Sequence, residues 1–179
     1  KLQLNIQDAR LQTTSDGQAF DVFYVLDDDG EPLGKNIKLC AKIVSSLKRG
    51  IANPKNISLD VQRRTSRQLK HFALKTVASS RNDKDSSATI LEVITPDRPG
   101  LLDHIASILL RYEINVYNAR SATLGERVED VFYLTDSNHQ PLLDTDFNQE
   151  LQRTICNELD ARNREDVEGN ELQHMKIRH

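Results

Sequence analysis

The chain has 179 residues, 37% of them hydrophobic and 28% charged, with a formal net charge of −3. That composition suits one large globular domain or two small ones, and two units of this size would lean on one another for a core. No Lys/Arg block exceeds a few residues, so the sequence presents no basic face for nucleic acid; the densest stretch, Arg63-Arg64 to Lys70, reads as a solvated linker. No apolar run reaches the length of a membrane span, and no signal peptide is visible. Cys40 and Cys156 form neither a disulfide framework nor a metal motif. They read as small buried hydrophobes in a reducing, cytoplasmic setting.

In chain order, the first pattern is Leu2-Gln3-Leu4-Asn5-Ile6, strand-like and without an initiator Met, which suggests a piece of a longer protein. A turn at Ser15-Asp16-Gly17 and a return strand around Asp21-Val22-Phe23-Tyr24 complete a hairpin. Ile37, Cys40, Ile43, Val44 and Leu47 then share one helical face, ended by Gly50. Residues 50–69 read as linker. His71–Val77 is a further strand with two possible homes. It either closes the first unit or pairs antiparallel with Thr89–Ile94 across a polar loop, Ser79 to Ser87; the short connection favours the second.

Thr89–Ile94 is a strand, Thr95–Gly100 a loop, and Leu101, Leu102, Ile105, Ile108, Leu109 and Tyr112 form an amphipathic helix. Ile114–Asn118 alternates as a strand, Gly125 marks a turn, and Val128–Thr135 returns. Asp144 or Asp146 can cap a helix whose Phe147, Leu151, Ile155 and Leu159 recur every fourth residue. Asn163–His179 reads as a polar tail. The expected divisions are therefore 1–49, 50–69, 70–162 and 163–179.

An internal repeat organises these elements. Leu4-Asn5-Ile6-Gln7-Asp8-Ala9-Arg10 resembles Ile114-Asn115-Val116-Tyr117-Asn118-Ala119-Arg120, and Asp21-Val22-Phe23-Tyr24 recurs as Asp130-Val131-Phe132-Tyr133. Asp27, Pro32 and Leu33 match Asp136, Pro141 and Leu142. The second copy has a strand and helix in front, giving strand–helix–strand–strand–helix; the first copy lacks them. Arg120 and Asp130, repeated as Arg10 and Asp21, read as a cross-strand ion pair. Tyr112, Tyr117 and Tyr133 read as packing residues, and His104 as having no metal partner.

The loop carries the candidate site. Pro99 suits a helix's first turn, and Gly100 lets a ligand approach the backbone. The N–H groups of Gly100, Leu101 and Leu102 and the helix dipole favour a carboxylate. Asp97 can accept from an ammonium group, and Asn115 offers a donor and an acceptor as a second wall. Arg98 reads as solvated or salt-bridged. The plainer alternative is a tight strand-to-helix turn capped by Asp97.

Leu91–Leu102, with Glu113-Ile114-Asn115-Val116, resembles the opening of an ACT domain, a small-molecule sensor. The run Ala119–Phe132, with Gly125-Glu126-Arg127-Val128-Glu129-Asp130 at its centre, resembles the C-terminal tandem ACT region of bacterial bifunctional uridylyltransferase/uridylyl-removing enzymes. The resemblance implies an α+β fold of two tandem ferredoxin-like (βαββαβ-type) units with antiparallel sheets, the first truncated at its N-terminus. It implies an amino-acid effector, glutamine, bound by Asp97, Arg98, Pro99, Gly100, Leu101, Leu102 and Asn115. It also implies catalytic domains elsewhere in a parent enzyme that uses UTP and a divalent metal on the PII signalling protein, and self-association through ACT sheets. This chain has no Gly-Ser and no His-Asp dipeptide, so it is expected to hold no cofactor and to catalyse nothing itself. The alternative is an ACT-type dimerisation or protein-interaction module that binds no small molecule.

Overall fold

The computed structural model describes residues 4–14, 16–27, 29–53, 74–83 and 87–176, with side chains up to 162 apart from Asn5 and Lys35. The strands are β1 (Asn5–Thr13), β2 (Ala19–Leu26), β3 (Val77–Asn82), β4 (Thr89–Pro96), β5 (Asn115–Leu124) and β6 (Arg127–Thr135). The helices are α1 (Ile37–Ala52), α2 (Leu101–Arg111) and α3 (Thr145–Lys176). All six strands join one sheet in the order β2-β1-β5-β6-β4-β3, every neighbouring pair antiparallel. The expected α+β class with antiparallel pairing is what forms. No described helix is long and apolar enough to cross a membrane.

The apolar periodicity of the C-terminal half becomes its core. Leu91 and Val93 of β4, Phe132 and Leu134 of β6, Ile105 and Ile108 of α2, and Leu151, Ile155 and Leu159 of α3 are all buried in one cluster on one sheet face. Asp144 caps α3, its Oδ1 accepting from the N–H groups of Asp146 and Phe147 at 2.9 and 3.1 Å. Phe147 stacks edge-on against Tyr112, ring centroids 5.7 Å apart. α2 ends with Ile114 N–H on the Leu109 carbonyl and Glu113 N–H on Leu110, Glu113 taking the left-handed position (φ 55°) where glycine is usual.

β3 pairs with β4 from Val77↔Ile94 to Asn82↔Thr89, the favoured pairing. The strand itself lies further along than the expected His71–Val77, and Ser79–Asn82, read as loop, are strand. His71 to Ala73 and most of the expected linker lie outside the described residues. β3 takes the place beside β4 that a last strand would fill, so β5-β6-β4-β3 has the strand arrangement of a ferredoxin-like unit. Further corrections concern helix ends. Gly50 is inside α1, whose last carbonyls meet the Asn53 N–H, and the backbone of 163–176, expected as a tail, continues α3.

The segment β1–β2–α1 repeats the order β5–β6–α3, and the likeness reaches single bonds. Pairing with the returning strand is interrupted between Ile6 and Asp8 in β1 and between Val116 and Asn118 in β5, a bulge at the same place. The bulge leaves Tyr117, expected to pack, 45% exposed. Asp27 Oδ1 accepts from the N–H groups of Asp29 and Glu31, and Asp136 Oδ1 from those of Asn138 and Gln140. Gly30 and His139 occupy the same left-handed corner of that turn, at φ 81° and 59°.

The two similar segments meet along β1 and β5, where Asp8 faces Ala122, Arg10 faces Arg120 and Gln12 faces Asn118. Asp8 is the repeat counterpart of Asn118, and Gln12 that of Ala122. The register therefore has a local twofold relation centred on Arg10 and Arg120, each facing its own counterpart.

Candidate effector-binding site

The loop leaving β4 is tied at both ends. Asp97 N–H donates to the Glu126 carbonyl at 2.8 Å, joining the loop to the β5–β6 turn, and Leu101 N–H donates to the Arg98 carbonyl at 3.3 Å. Gly100 caps α2 with φ 77°, a left-handed conformation that costs glycine little, and no side chain caps the helix. Pro99 therefore precedes the cap instead of standing in the first turn, and Asp97 is not the capping residue. The first helical bond runs from His104 N–H to the Gly100 carbonyl. The N–H groups of Leu102 and Asp103 come before it and have no helical acceptor. They are the donors that the N-terminus of α2 can offer a carboxylate; Leu101's is already used. The Leu101 side chain is buried in the core, and Leu102 packs half-buried against it.

Of the two states expected for Arg98, solvated or salt-bridged, the solvated one does not form. The residue is 5% exposed, and its Nη2 donates to His104 Nδ1 at 3.0 Å. Arginine only donates, so His104 accepts on Nδ1 and carries its proton on Nε2, which faces Glu158 Oε2 at 3.1 Å. Glu158 also receives Arg111. Burial works against the Glu158 charge, but the hydrogen bonds from Arg111 and His104 hold its carboxyl below the usual range. The loop is thereby linked through α2 to α3.

Asn115 does not join the loop. β4 and β5 both run antiparallel to β6 and so run parallel to each other. Leu134 pairs with both Thr89 and Val116, whereas Arg127 pairs with both Pro96 and Leu124. Asn115, level with Thr135, thus lies at the far end of the sheet from Arg127 and the loop, roughly 26 Å away at a strand's rise per residue. There it is exposed, and its Nδ2 donates to the Asp136 carbonyl at 2.9 Å. The neighbour at the loop's end of the sheet is the start of β1: Asp8 pairs with Ala122, and Thr123 Oγ1 donates to the Ile6 carbonyl at 3.5 Å. The strand position equivalent to Asn115 at that end is Asn5, from the other copy. Parallel order was the available signal, since a strand–helix–strand crossover starts its second strand level with the start of its first.

The expected Arg120–Asp130 ion pair is absent because the register is one residue away from it. Arg120 pairs with Val131, and Asp130 with Ser121. Neighbouring residues on a strand face opposite sides. Arg120 is exposed on the open face, and Asp130 is 1% exposed on the helix-covered face. Neither Asp130 oxygen has a hydrogen bond of normal geometry, although Ser121 lies close enough to favour the charged form. Burial, with a further push from Asp97, raises its pKa to about 6. Asp130 is the residue that sequence reasoning passed over at this site. No group of three His, Cys, Asp or Glu among the described residues is placed to hold a metal ion.

The ACT domain family matches residues 89–152, from the start of β4 into α3. Bifunctional uridylyltransferase/uridylyl-removing enzymes are similar over most of the chain. The one from Stutzerimonas stutzeri is 45% identical over 163 residues, covering 91% of this chain and 18% of that protein. Those from Pseudomonas aeruginosa and Pseudomonas fluorescens are 44% and 42% identical, over 93% and 96% of this chain and 19% of each protein. The chain therefore spans about a fifth of the length of these relatives. No solved structure matches. Residues 89–152 thus match the ACT domain family, in a chain that is similar along nine-tenths of its length to about a fifth of the bifunctional uridylyltransferase/uridylyl-removing enzymes.

Proposed function

We propose that this chain is an amino-acid-sensing regulatory module made of two tandem ACT units, the first represented by its second half. In this reading the effector sits at the seam between them. One observation carries the reading: the antiparallel β1–β5 pairing sets the start of β1 at the same end of the sheet as the Asp97–Gly100 loop, which is itself bonded to the β5–β6 turn. A ligand there can meet the first-turn N–H groups of α2 with its carboxylate and Asp97 with its ammonium group. The strand that starts at this end of the sheet is β1, not β5, so Asn115 is not the second wall in this reading. The resemblance in the sequence points to glutamine.

Uridylyl transfer and removal, with UTP, a divalent metal and the PII protein, belong in this reading to catalytic domains of a longer cytoplasmic protein. The module's part is to bias those domains, which requires that glutamine bind two arrangements with different affinity. Calorimetric titration of the chain with glutamine tests the proposal, with Asp97→Ala alongside. Saturable binding weakened by the substitution is expected; no heat at millimolar glutamine would sink it.

A second reading, an interaction module without a ligand, has its own observation. α1 leaves Ile37, Val44, Leu47 and Ile51 more than half exposed along one face. A chain that self-associates identically with and without amino acids would favour that reading.

A further inference from the structure

Asp130 sits in a row that crosses the sheet on its helix-covered side: Ala9 of β1, Ser121 of β5, Asp130 of β6 and Val93 of β4. Ala9, Asp130 and Val93 are 0%, 1% and 0% exposed, and Ser121 is 6% exposed. The flanking residues on its own strand, Val128 and Phe132, belong to the apolar core. A carboxylate in such a place loses its hydration and gains nothing from aliphatic neighbours. Buried acids are ordinarily paired or fully hydrogen-bonded, and an unpaired one calls for an explanation. Between Asp130 and the seam with β1 the strands present only the small side chains of Ser121 and Ala9. On the loop side Asp97 is near enough to act on it electrostatically. Asp130 thus lies three residues in from the end of the sheet where the effector is proposed to bind, within electrostatic reach of a second carboxylate.

The first copy repeats the arrangement. Asp21 pairs with Leu11, a residue packed against the core, so it faces the same side of the sheet as Asp130. There it is exposed. The acid keeps its place in the repeat under two different degrees of cover, which packing alone does not require.

We propose that Asp130 is the buried anchor for the ammonium group of the effector, and that it selects ligands carrying a primary amine over their deaminated counterparts. The inference rests on the sensing role proposed above and deepens it. An ammonium group brings Asp130 the partner it lacks and makes a charge-assisted hydrogen bond shielded from water. The carboxylate end of the ligand is left for the first-turn N–H groups of α2. Because burial favours the protonated acid, arrival of an ammonium group drives a proton off Asp130. The charged group that acts on this position is Asp97 of the loop. The neighbouring strands add only Ser121, Ala9 and Val93, which do not titrate.

The test is calorimetry on the full chain with glutamine and with 4-carbamoylbutanoate, its analogue without the amine. Wild type and Asp130→Asn are compared at pH 6 and pH 8, each in two buffers of different ionisation enthalpy. Glutamine is expected to bind Asp130→Asn tenfold to a hundredfold more weakly than wild type. The analogue should bind both proteins weakly and alike. Wild type should release a fraction of a proton per glutamine at pH 6 and almost none at pH 8. Unchanged glutamine affinity in Asp130→Asn, or equal affinity of wild type for glutamine and analogue, overturns the proposal while leaving amino-acid sensing intact. Should the variant fail to fold, the analogue comparison and the proton count in wild type decide alone. If glutamine does not bind wild type at all, the sensing role falls and this inference with it.

Discussion

α1 and α3 follow the same hairpin in the two copies, after the same turn, yet they differ in what they bury. α3 has Leu151, Ile155 and Leu159 at 1%, 0% and 0% exposure, whereas α1 buries no residue completely. Both carry an apolar stripe at helical spacing. The difference lies in their surroundings: β4 and α2 supply the second copy with another strand and another helix to pack against, and no described element does this for the first. A helical stripe specifies a helix and the direction it wishes to face. Whether that face becomes core depends on a partner.

Substitutions can sharpen or break this contrast. The largest expected effect is from Ile155→Ala, which opens a cavity in a fully buried site and should cost about 2–5 kcal/mol by denaturant unfolding. Next is Asp130→Asn. Burial raises the folded pKa of Asp130 from 3.8 to about 6, so the unfolded chain ionises first as pH rises. The acid therefore destabilises the fold progressively from pH about 4 to about 6, and fully above that. Removing the charge should stabilise the protein by about 3 kcal/mol at pH 8, a gain that fades toward pH 4; a pH series of melts reads it.

The repeated turn allows a smaller exchange. His139→Gly, copying Gly30, should stabilise by a few tenths to about 1 kcal/mol, because glycine accepts the left-handed corner without a Cβ penalty. At the centre of the seam Arg120→Glu replaces facing like charges with opposite ones and should add about 0.2–1 kcal/mol, lessened by salt. The smallest effect is expected from Leu47→Ala, within about 0.5 kcal/mol. A loss above 1 kcal/mol there would mean that α1 is covered in solution, and would break the contrast.

Much of this was legible in the residues. The four-residue spacing of Phe147, Leu151, Ile155 and Leu159 marked α3, and Asp97-Arg98-Pro99-Gly100 marked the strand-to-helix loop. β3 was misplaced because His71–Val77 looks more strand-like than Val77–Asn82. Ala78 packs against the core and Ser80 accepts from Gln152 of α3 at 2.8 Å, and a strand held by such contacts carries little hydrophobic signal. Asn115 was joined to the wrong site because a strand's start was assumed to lie near the preceding loop. Asp130 does not form the expected cross-strand ion pair because a single residue of register decides which face a side chain takes, and register is set by pairing across the sheet, not by local pattern. Arg98 shows the same limit: nothing in the loop's sequence says that its guanidinium turns inward to a histidine six residues on.

The position of β3 has a mechanical consequence. In a ferredoxin-like unit the second helix must stop in time to feed the last strand back into the sheet. Here that strand precedes the unit in the chain, so α3 is released from the obligation to turn back. It contacts β3 as far as Asp160, whose Oδ1 accepts from the Thr76 N–H at 2.9 Å, and its backbone continues helical to Lys176. At a helix's rise per residue that continuation is about 24 Å long. Held at its base by Glu158, which faces His104 of α2, and by Asp160 on the Thr76 N–H beside β3, it has the form of an arm, so that a small tilt at the base becomes a larger displacement at the tip.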